Sequence, residues 1–317
     1  MRTAQFIALL APAVACALFA APAQATQRAR VFVASYGSDS NPCTFGSPCK
    51  TFQNAVNMVA AGGEVTAIDS AGFGPVTINK AVTITSPNGV EAGIAAASGN
   101  TAVTVTAEST DTVVLSGLTL EGAGSAATGI AFTGGAMLEV VNCAIRNYTG
   151  SGISVNTSSN AVTVLISNTS VSDVPTSAGI SFFSDGGAIQ AALDHVTVNN
   201  NALGLDIVSF NGPVEVQVAD SHIDNNTSVG IEIGGALNIN MATVILKNVT
   251  LNQTPTGISL GNYADVYLSG VTQTTVPGFV STGVQFTGNT GNAVYSDVSN
   301  HLMGGFVDGS SSPWATQ

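Results

Sequence analysis

The chain has 317 residues, with seven Lys or Arg against 19 Asp or Glu, and its formal net charge is −12. Nucleic acids need a basic surface, so this balance predicts no nucleic-acid partner, and it also disfavours holding an acidic polysaccharide through many ion pairs. Charged residues are 8% of the chain, about a third of the usual ~25%. Thr, Ser, Asn and Gly supply the polar surface instead, which excludes a helical bundle and suits long β surfaces.

The first 25 residues have the pattern of an export signal. Arg2 precedes an apolar run over 6–20, and the Ala-Gln-Ala at 23–25 has the small-x-small form of a signal peptidase site. The run is too short for a transmembrane span. We therefore predict a secreted or periplasmic protein that is cleaved after Ala25 and has no transmembrane segment. Cys16 leaves a lipoprotein as the alternative.

The remaining cysteines predict one disulfide and one buried thiol. Cys43 and Cys49 lie close in sequence, with Gly46 and Pro48 between them to turn the chain, so we expect a local disulfide in an oxidising compartment. A metal site is the rival interpretation, but no further His or Cys lies nearby to complete four ligands. Cys143 has apolar neighbours and is predicted to be a small core residue rather than a nucleophile.

Two motifs repeat along the chain with a shared period of about 25 residues. One places a small or polar residue at a corner after an apolar strand, at Gly117, Asn142, Asn168, His195, Asp220, Asn248 and Gly270. The other is a Gly-Ile or Gly-Leu pair that opens an alternating apolar and polar segment, with its glycine at 129, 152, 179, 204, 230 and 257. Alternation with period two is typical of a strand with one buried face.

Each period therefore holds three short strands, which cannot bury an apolar face alone, so successive coils must stack. Asn tolerates the left-handed backbone that a tight corner needs. The sequence predicts an all-β solenoid of three-strand coils over 62–300, with a tail over 301–317. Residues 26–61 are predicted to form a first strand, the disulfide loop and a capping helix over Thr51–Ala61. An oversized early turn is expected between Lys80 and Gly117.

These features resemble the right-handed parallel β-helix proteins of the pectin-lyase-like superfamily. The resemblance rests on the column of asparagines at one corner and on the N-terminal segment from Val31 to Val56, which contains both Cys43 and Cys49. It implies that the first strand and helix cap the open end of the coil stack. It implies little about activity, because the superfamily includes lyases, hydrolases, epimerases, adhesins and many secreted proteins of unknown role.

In the enzymes that the chain resembles, the strand after the loop commonly carries the site, which here is the Gly-Ile strand. Its outward positions are Ala131, Ser154, Ser181, Asp206, Glu232 and Ser259, with a second row at Thr133, Asn156, Phe183, Val208, Gly234 and Gly261. Asp206 and Glu232 fall on neighbouring coils, so one pKa is expected to rise. Such a pair suits a general acid or a weak calcium site; the alternative is two solvated charges that keep the sheet soluble.

Other catalytic patterns are incomplete. A uronate lyase needs a base, for which Arg146 is the best placed candidate, yet it lies more than two coils from Asp206. The pectate lyase pattern of an acidic cluster with an adjacent Arg is missing, as are the motifs of polygalacturonases. His195 is assigned to the structural corner, and with His222 and Asp220 makes only a weak case for a metal. The Gly-x-Ser-x-Gly at 257–261 is interpreted as a repeat strand rather than a hydrolase elbow.

Phe183 is the one aromatic residue predicted to point outward from this face, and it can stack on a sugar ring. Ser154, Asn156 and Ser181 beside it can bind sugar hydroxyls; the alternative is a Phe covered by a loop such as 184–188. Three hypotheses follow, in order: a non-catalytic protein that binds a glycan or cell-surface component, a polysaccharide lyase or hydrolase, and a structural or adhesin-like rod. No cofactor is predicted beyond the weak calcium site, and no feature sets the oligomeric state.

Overall fold

A computed structural model of the protein describes residues 27–235, 241–274, 282–287, 292–296, 299–302 and 306–307. The predicted signal peptide and most of the predicted tail lie outside these residues. Within them the regular secondary structure is β-strand apart from one helix, α1 (Phe52–Met58). None of the described helical structure is long and apolar enough to cross a membrane.

The strands of the first half, in chain order, are β1 (Arg28–Val33), β2 (Val59–Ala67), β3 (Ala71–Gly72), β4 (Val76–Ile78), β5 (Val82–Thr85), β6 (Ala92–Ala95), β7 (Thr101–Thr106), β8 (Thr112–Ser116), β9 (Leu118–Glu121), β10 (Thr128–Gly134), β11 (Met137–Val141), β12 (Ala144–Arg146), β13 (Ile153–Thr157) and β14 (Val162–Ser167). Those of the second half are β15 (Ser170–Ser172), β16 (Ala178–Ser184), β17 (Ile189–Asp194), β18 (Thr197–Asn199), β19 (Leu203–Ser209), β20 (Val214–His222), β21 (Val229–Gly235), β22 (Ala242–Thr250), β23 (Thr256–Leu260), β24 (Ala264–Ser269), β25 (Thr282–Phe286), β26 (Ala293–Ser296) and β27 (Phe306–Val307).

The described strands form two sheets in which each strand pairs in parallel with the equivalent strand of the next coil. The Gly-Ile sheet has ten strands and contains β4, β7, β10, β13, β16, β19, β21, β23, β25 and β27. The other 17 strands form the long sheet, which bends at the corner of each coil. This is the right-handed parallel β-helix predicted from the repeats, and the prediction of fold is confirmed.

The glycine of the Gly-Ile motif is explained by close packing between coils. A Cβ on Gly152 would lie 2.7 Å from the carbonyl oxygen of Gly179 and 2.3 Å from the Val171 side chain. The residue after each glycine, such as Ile153 or Ile180, is fully buried. Burying such a side chain stabilises the fold by roughly 1.5–3 kcal/mol. The motif thus pairs a position that excludes a side chain with one that fills the core.

The corner column has the left-handed backbone that the sequence predicted. The φ angles are 55° at Asn142, 48° at Asn168, 53° at His195, 47° at Asp220 and 54° at Asn248. Glycine occupies the same column at 117 and 270, with φ of 72° and 64°. Asn, Asp and His are the residues other than Gly that are most enriched in this region, so backbone conformation accounts for the identity of this column, including His195.

A second left-handed corner follows five residues after the first in several coils, which the sequence analysis missed. Its members are Asn147, Asp173, Asn200, Asn225 and Gln253, with φ between 54° and 64°. The next residue turns into the core, where Asn201, Asn226 and Thr254 form an internal polar ladder. Asn201 Oδ1 accepts from the Val174 amide at 3.1 Å, and Asn226 Oδ1 accepts from the Asn201 amide at 3.1 Å.

The N-terminal cap is built as predicted, with a shorter helix. Cys43 and Cys49 form a disulfide with Cα atoms 4.6 Å apart. Thr51 caps α1 by accepting from the Asn54 amide at 3.2 Å, and Asp39 Oδ1 accepts from the Thr51 amide at 2.9 Å. The helix ends at Met58 rather than at residue 61, because residues from 59 onward pair with β1 as part of β2.

The oversized turn predicted between Lys80 and Gly117 is a long coil, in which Val82 pairs with Val113, 31 positions further along the chain, whereas Val113 pairs with Leu138, 25 positions further along. This stretch contains a complete coil with strands β5, β6 and β7, which pair in register with the strands of the coils on either side. Its corner is a loop in which Ser86 Oγ donates to the Val90 carbonyl at 2.7 Å. The loop lacks the single-residue corner, so the repeat was not visible there in the sequence.

Replacing Asn201 by Ala is expected to lower the free energy of unfolding by about 2–3 kcal/mol, because the buried Val174 amide loses its acceptor. Urea unfolding followed by circular dichroism measures the change. Asn199→Ala is the matched control, since Asn199 is an outward residue two positions earlier with no side-chain hydrogen bond, and it should change stability by about 0.5 kcal/mol or less. Equal effects of the two substitutions would contradict a role for the ladder.

Candidate functional site

The outward residues of the Gly-Ile sheet lie in the two columns that the sequence predicted. Ser154, Ser181, Asp206 and Glu232 face one another on β13, β16, β19 and β21. The second column has Asn156 opposite Phe183, and Phe183 opposite Val208. Equivalent positions on paired strands are ~4.8 Å apart. The predicted binding residues and the predicted acid pair are therefore parts of one surface, here called the Gly-Ile face.

Asp206 carries the most perturbed carboxyl group of this face. It is half-buried, and burial together with the neighbouring Glu232 charge raises its pKa from 3.8 to about 6, against a lowering by a hydrogen bond from Ser181. Glu232 is half-buried on the adjacent strand. The expectation that one member of the pair would have a raised pKa is confirmed. At mildly acidic pH, below about 6, the Asp206 carboxyl holds a proton that it can donate to a ligand.

Basic side chains are absent from the described strands of the Gly-Ile sheet. Arg146 lies instead on β12 of the long sheet, where its Nε donates to Glu121 Oε2 at 2.8 Å. This hydrogen bond and the Glu121 charge raise the pKa of the Arg146 guanidinium further above its usual value. An arginine held in this way is a poor proton acceptor, so the structure does not bring Arg146 together with Asp206 and Glu232 as a base.

Phe183 is half-buried and stacks against Phe210, which is 41% exposed. Their ring centroids are 6.0 Å apart and the ring planes differ by 20°. The alternative in the sequence analysis was that a loop such as 184–188 covers Phe183. In the structure, part of Phe183 is covered by the Phe210 ring. Stacking covers part of the facing ring surfaces, and the remaining exposed surface of the two rings, here called the aromatic platform, lies beside the Asn156 amide and the acid pair.

Phe210 is held in place by the turn that follows β19. Its amide donates to the Ser184 carbonyl of the preceding coil at 3.0 Å, and Ser209 Oγ donates to the Gly212 carbonyl at 2.8 Å. The sequence analysis missed Phe210 because it lies one residue beyond the strand, outside the alternating pattern. The signal available was an aromatic residue immediately before the Asn211-Gly212 turn.

The other candidate residues of the sequence analysis, namely the histidines, Ser259 and Cys143, lie outside the acid pair and the aromatic stack. His195 Nδ1 lies 3.0 Å from Asp194 Oδ2 at the corner, while His222 Nδ1 is 2.8 Å from Thr250 Oγ1. Ser259 lies within β23, which confirms that its Gly-x-Ser-x-Gly is a repeat strand. The prediction that Ser259 is exposed on the outward face is wrong, because its surface is only 4% exposed. Cys143 is buried, and burial raises its thiol pKa to about 11. In the part of the chain that the structure describes, no three His, Cys, Asp or Glu residues are placed to hold a metal.

A second aromatic pair lies on the long sheet and was not anticipated. Tyr267 on β24 faces Tyr295 on β26, with ring centroids 4.4 Å apart and planes within 7°. Tyr267 is 38% exposed. The two rings cover each other's faces, so the pair presents ring edges and hydroxyl groups to solvent.

No protein-family model matches the chain, and no curated protein matches its sequence. Among solved structures, the crystal structure of pectate lyase Pel9A is similar, with a TM-score of 0.56 at 14% identity, over 89% of this chain and 79% of that one. A likeness at this identity is one of fold. The chain thus has the pectin-lyase-like parallel β-helix fold that the repeats and the corner column indicated.

The raised pKa of Asp206 predicts a pH-dependent penalty on folding. The folded protein binds this proton more tightly than the unfolded chain, so stability is lost as pH rises from about 4 to about 6. Asp206→Asn removes the penalty and should stabilise the protein at pH 7 by on the order of 2 kcal/mol, with little change near pH 3.5.

Urea midpoints across this pH range measure the effect. Glu215→Gln, at an outward carboxylate of the long sheet, is the matched control and should give nearly the same pH profile as the unaltered protein. A destabilised Asp206→Asn at pH 7 would show that the ionised carboxylate makes stabilising contacts instead.

Proposed function

We propose that this is a secreted or periplasmic, non-catalytic β-helix protein that binds an extracellular glycan on the Gly-Ile face. The observation that carries the proposal is the Phe183–Phe210 stack beside a column of hydroxyl, amide and carboxyl groups on regularly spaced strands. Sugar-binding sites combine an apolar ring surface with groups that bind hydroxyls, and this face offers both over several coils. The fold likeness to a pectate lyase is compatible with a polysaccharide ligand.

The charges of the face favour a neutral glycan over an acidic one. Asp206 and Glu232 supply negative charge, and the described strands of this sheet provide no Lys or Arg to compensate a uronate. Carboxylates are strong acceptors for sugar hydroxyls. The described part of the face offers no basic group to act as a lyase base, which favours binding over β-elimination.

Phe183→Ala and Phe210→Ala are each expected to weaken glycan binding at least tenfold, because each removes half of the aromatic platform. The measurement is isothermal titration and pull-down of the purified protein with β-glucan, mannan, xylan and polygalacturonate, each with and without calcium. We expect binding to one or more neutral polymers and little to polygalacturonate. Dependence on calcium would support the predicted weak cation site at Asp206 and Glu232.

Tyr267→Ala is the matched control, since it removes one ring of a stacked pair on the other sheet. It should leave binding unchanged. Loss of binding in Tyr267→Ala alone would place the site on the long sheet. Failure of every polymer to bind would favour a structural or adhesin-like rod.

A glycoside hydrolase is the second candidate, and the pKa of Asp206 near 6 is the observation that favours it. A protonated carboxyl beside a second carboxylate provides a general acid and a nucleophile or base. The strand spacing of ~4.8 Å is close to the ~5–5.5 Å separation of carboxyls in retaining glycosidases.

Incubation with the same polymers tests this candidate through the appearance of new reducing ends. For an enzyme, Asp206→Asn and Glu232→Gln should each lower the rate by about a hundredfold or more, with the glycan still bound. New reducing ends from the unaltered protein would overturn the non-catalytic proposal. Binding without turnover, sensitive to Phe183→Ala, would support it.

A further inference from the structure

A shallow groove runs along the corner column on the long sheet, away from the Gly-Ile face. The corner groove is lined by Asn142, Asn168 and His195 of the corner column and by Thr119, Ser170 and Thr197 of the strands that follow. Its volume is about 450 Å³, within the range of small-molecule sites. Thr119, Ser170 and Thr197 belong to one column of paired strands, so the groove follows the helix axis across four coils.

Five polar side chains of this groove are not used by the fold, whereas Thr169 Oγ1 accepts from the Cys143 amide at 3.3 Å and His195 contacts Asp194. Asn142, Asn168, Thr119, Ser170 and Thr197 make no side-chain hydrogen bond to the described residues. The same corner column behaves differently outside the groove, where Asn248 Nδ2 donates to Asp220 Oδ1 at 3.0 Å. Within the groove Asn142, Asn168 and His195 all adopt the left-handed corner, and the two amides face solvent beside hydroxyls that are also without a partner among the described residues.

The lining defines the chemistry of a ligand. Its atoms are mainly amide and hydroxyl groups, which donate and accept hydrogen bonds in about equal measure. Asp194, which contacts His195, and Asp220 on the next coil add negative charge nearby, and the groove lining contains no Lys or Arg. The large apolar residue of the lining, Leu118, is buried, so the groove offers no exposed apolar anchor of the kind that seats a peptide side chain.

We propose that the corner groove is a second glycan-binding site, which takes a neutral oligosaccharide lying along the helix axis. A hydroxyl-rich chain matches the alternating amides and hydroxyls, and the ~4.8 Å rise per coil repeats the same set of groups under successive sugar rings. The site is independent of the Gly-Ile face, so occupation of both makes the protein bivalent.

The test is titration of the full mature protein with cellohexaose, mannohexaose and xylohexaose, with trigalacturonate as the acidic comparison. The readout is the side-chain amide signals of Asn142 and Asn168 in nitrogen-15 NMR spectra, assigned by substitution. We expect saturable shifts of both signals with at least one neutral hexasaccharide and none with trigalacturonate at equal concentration.

The double variant Asn142→Gly/Asn168→Gly removes both amides while keeping a residue suited to the left-handed backbone, as Gly117 and Gly270 already show in this column. It should weaken binding at this site at least tenfold, followed through the backbone amide signals of Thr119 and Thr197, which line the groove and remain in this variant. Asn248→Gly is the matched control outside the groove and should bind as the unaltered protein does. The double variant Ser170→Ala/Thr197→Val alters no left-handed position and is also expected to weaken binding at the groove. It replaces the glycine variant if the glycine variant does not fold.

The proposal is overturned if no neutral hexasaccharide shifts the two amide signals, or if both double variants bind like the unaltered protein. Phe183→Ala separates the two sites, because it should leave the Asn142 and Asn168 shifts unchanged. Shifts that disappear in Phe183→Ala, while both groove variants bind normally, would assign all binding to the Gly-Ile face. Shifts that survive Phe183→Ala while polymer binding is unaffected by it would leave the groove as the glycan site and refute the function proposed for the Gly-Ile face.

Discussion

The hydrogen bonds between successive coils determine where every side chain of this protein lies. Parallel strands pair residue to equivalent residue, as in the contact of Ser181 with Asp206 and of Asp206 with Glu232. Each column then holds one kind of environment along its whole length, whether core, corner or outer face. An isolated coil would have no core, so packing and register arise together. The chemistry of the surface is a consequence of this register, since groups remote in sequence become neighbours ~4.8 Å apart.

Register also explains why a column can perform two roles. The corner column has to adopt a left-handed backbone, and Asn meets that need wherever it occurs. The side-chain amide is then left over, to be paired as at Asn248 or to remain free as at Asn142 and Asn168. On the Gly-Ile face the same spacing places Asp206 beside Glu232, and burial together with this neighbouring charge raises the pKa of Asp206. The backbone conformation and strand register required at a position thus also determine which chemical group that position presents on the surface.

The sequence was sufficient for the fold and for the columns of the site, because a period of about 25 residues and alternation within strands are properties of the chain alone. It predicted the pairing of Asp206 with Glu232 and the corner role of His195. It missed Phe210 and the internal polar ladder, since these depend on turn geometry beyond the strand ends. It recognised the coil between Lys80 and Gly117 as oversized but did not identify its strands, because a loop replaces the single-residue corner there. The ligand of the outward residues depends on the shape of the folded surface, and that shape does not follow from the repeat pattern of the sequence.

The internal polar ladder constrains how such a chain can change in length over evolution. Asn201 and Asn226 each satisfy a backbone amide of the coil before them, so each coil is completed by its successor. Duplicating or deleting an entire coil preserves these contacts. Adding one or two residues within a strand would instead leave a buried backbone amide without a hydrogen-bond acceptor. Length variation should therefore accumulate in the loops between columns, and the molecule can lengthen its binding faces by whole units while leaving the chemistry of each unit intact.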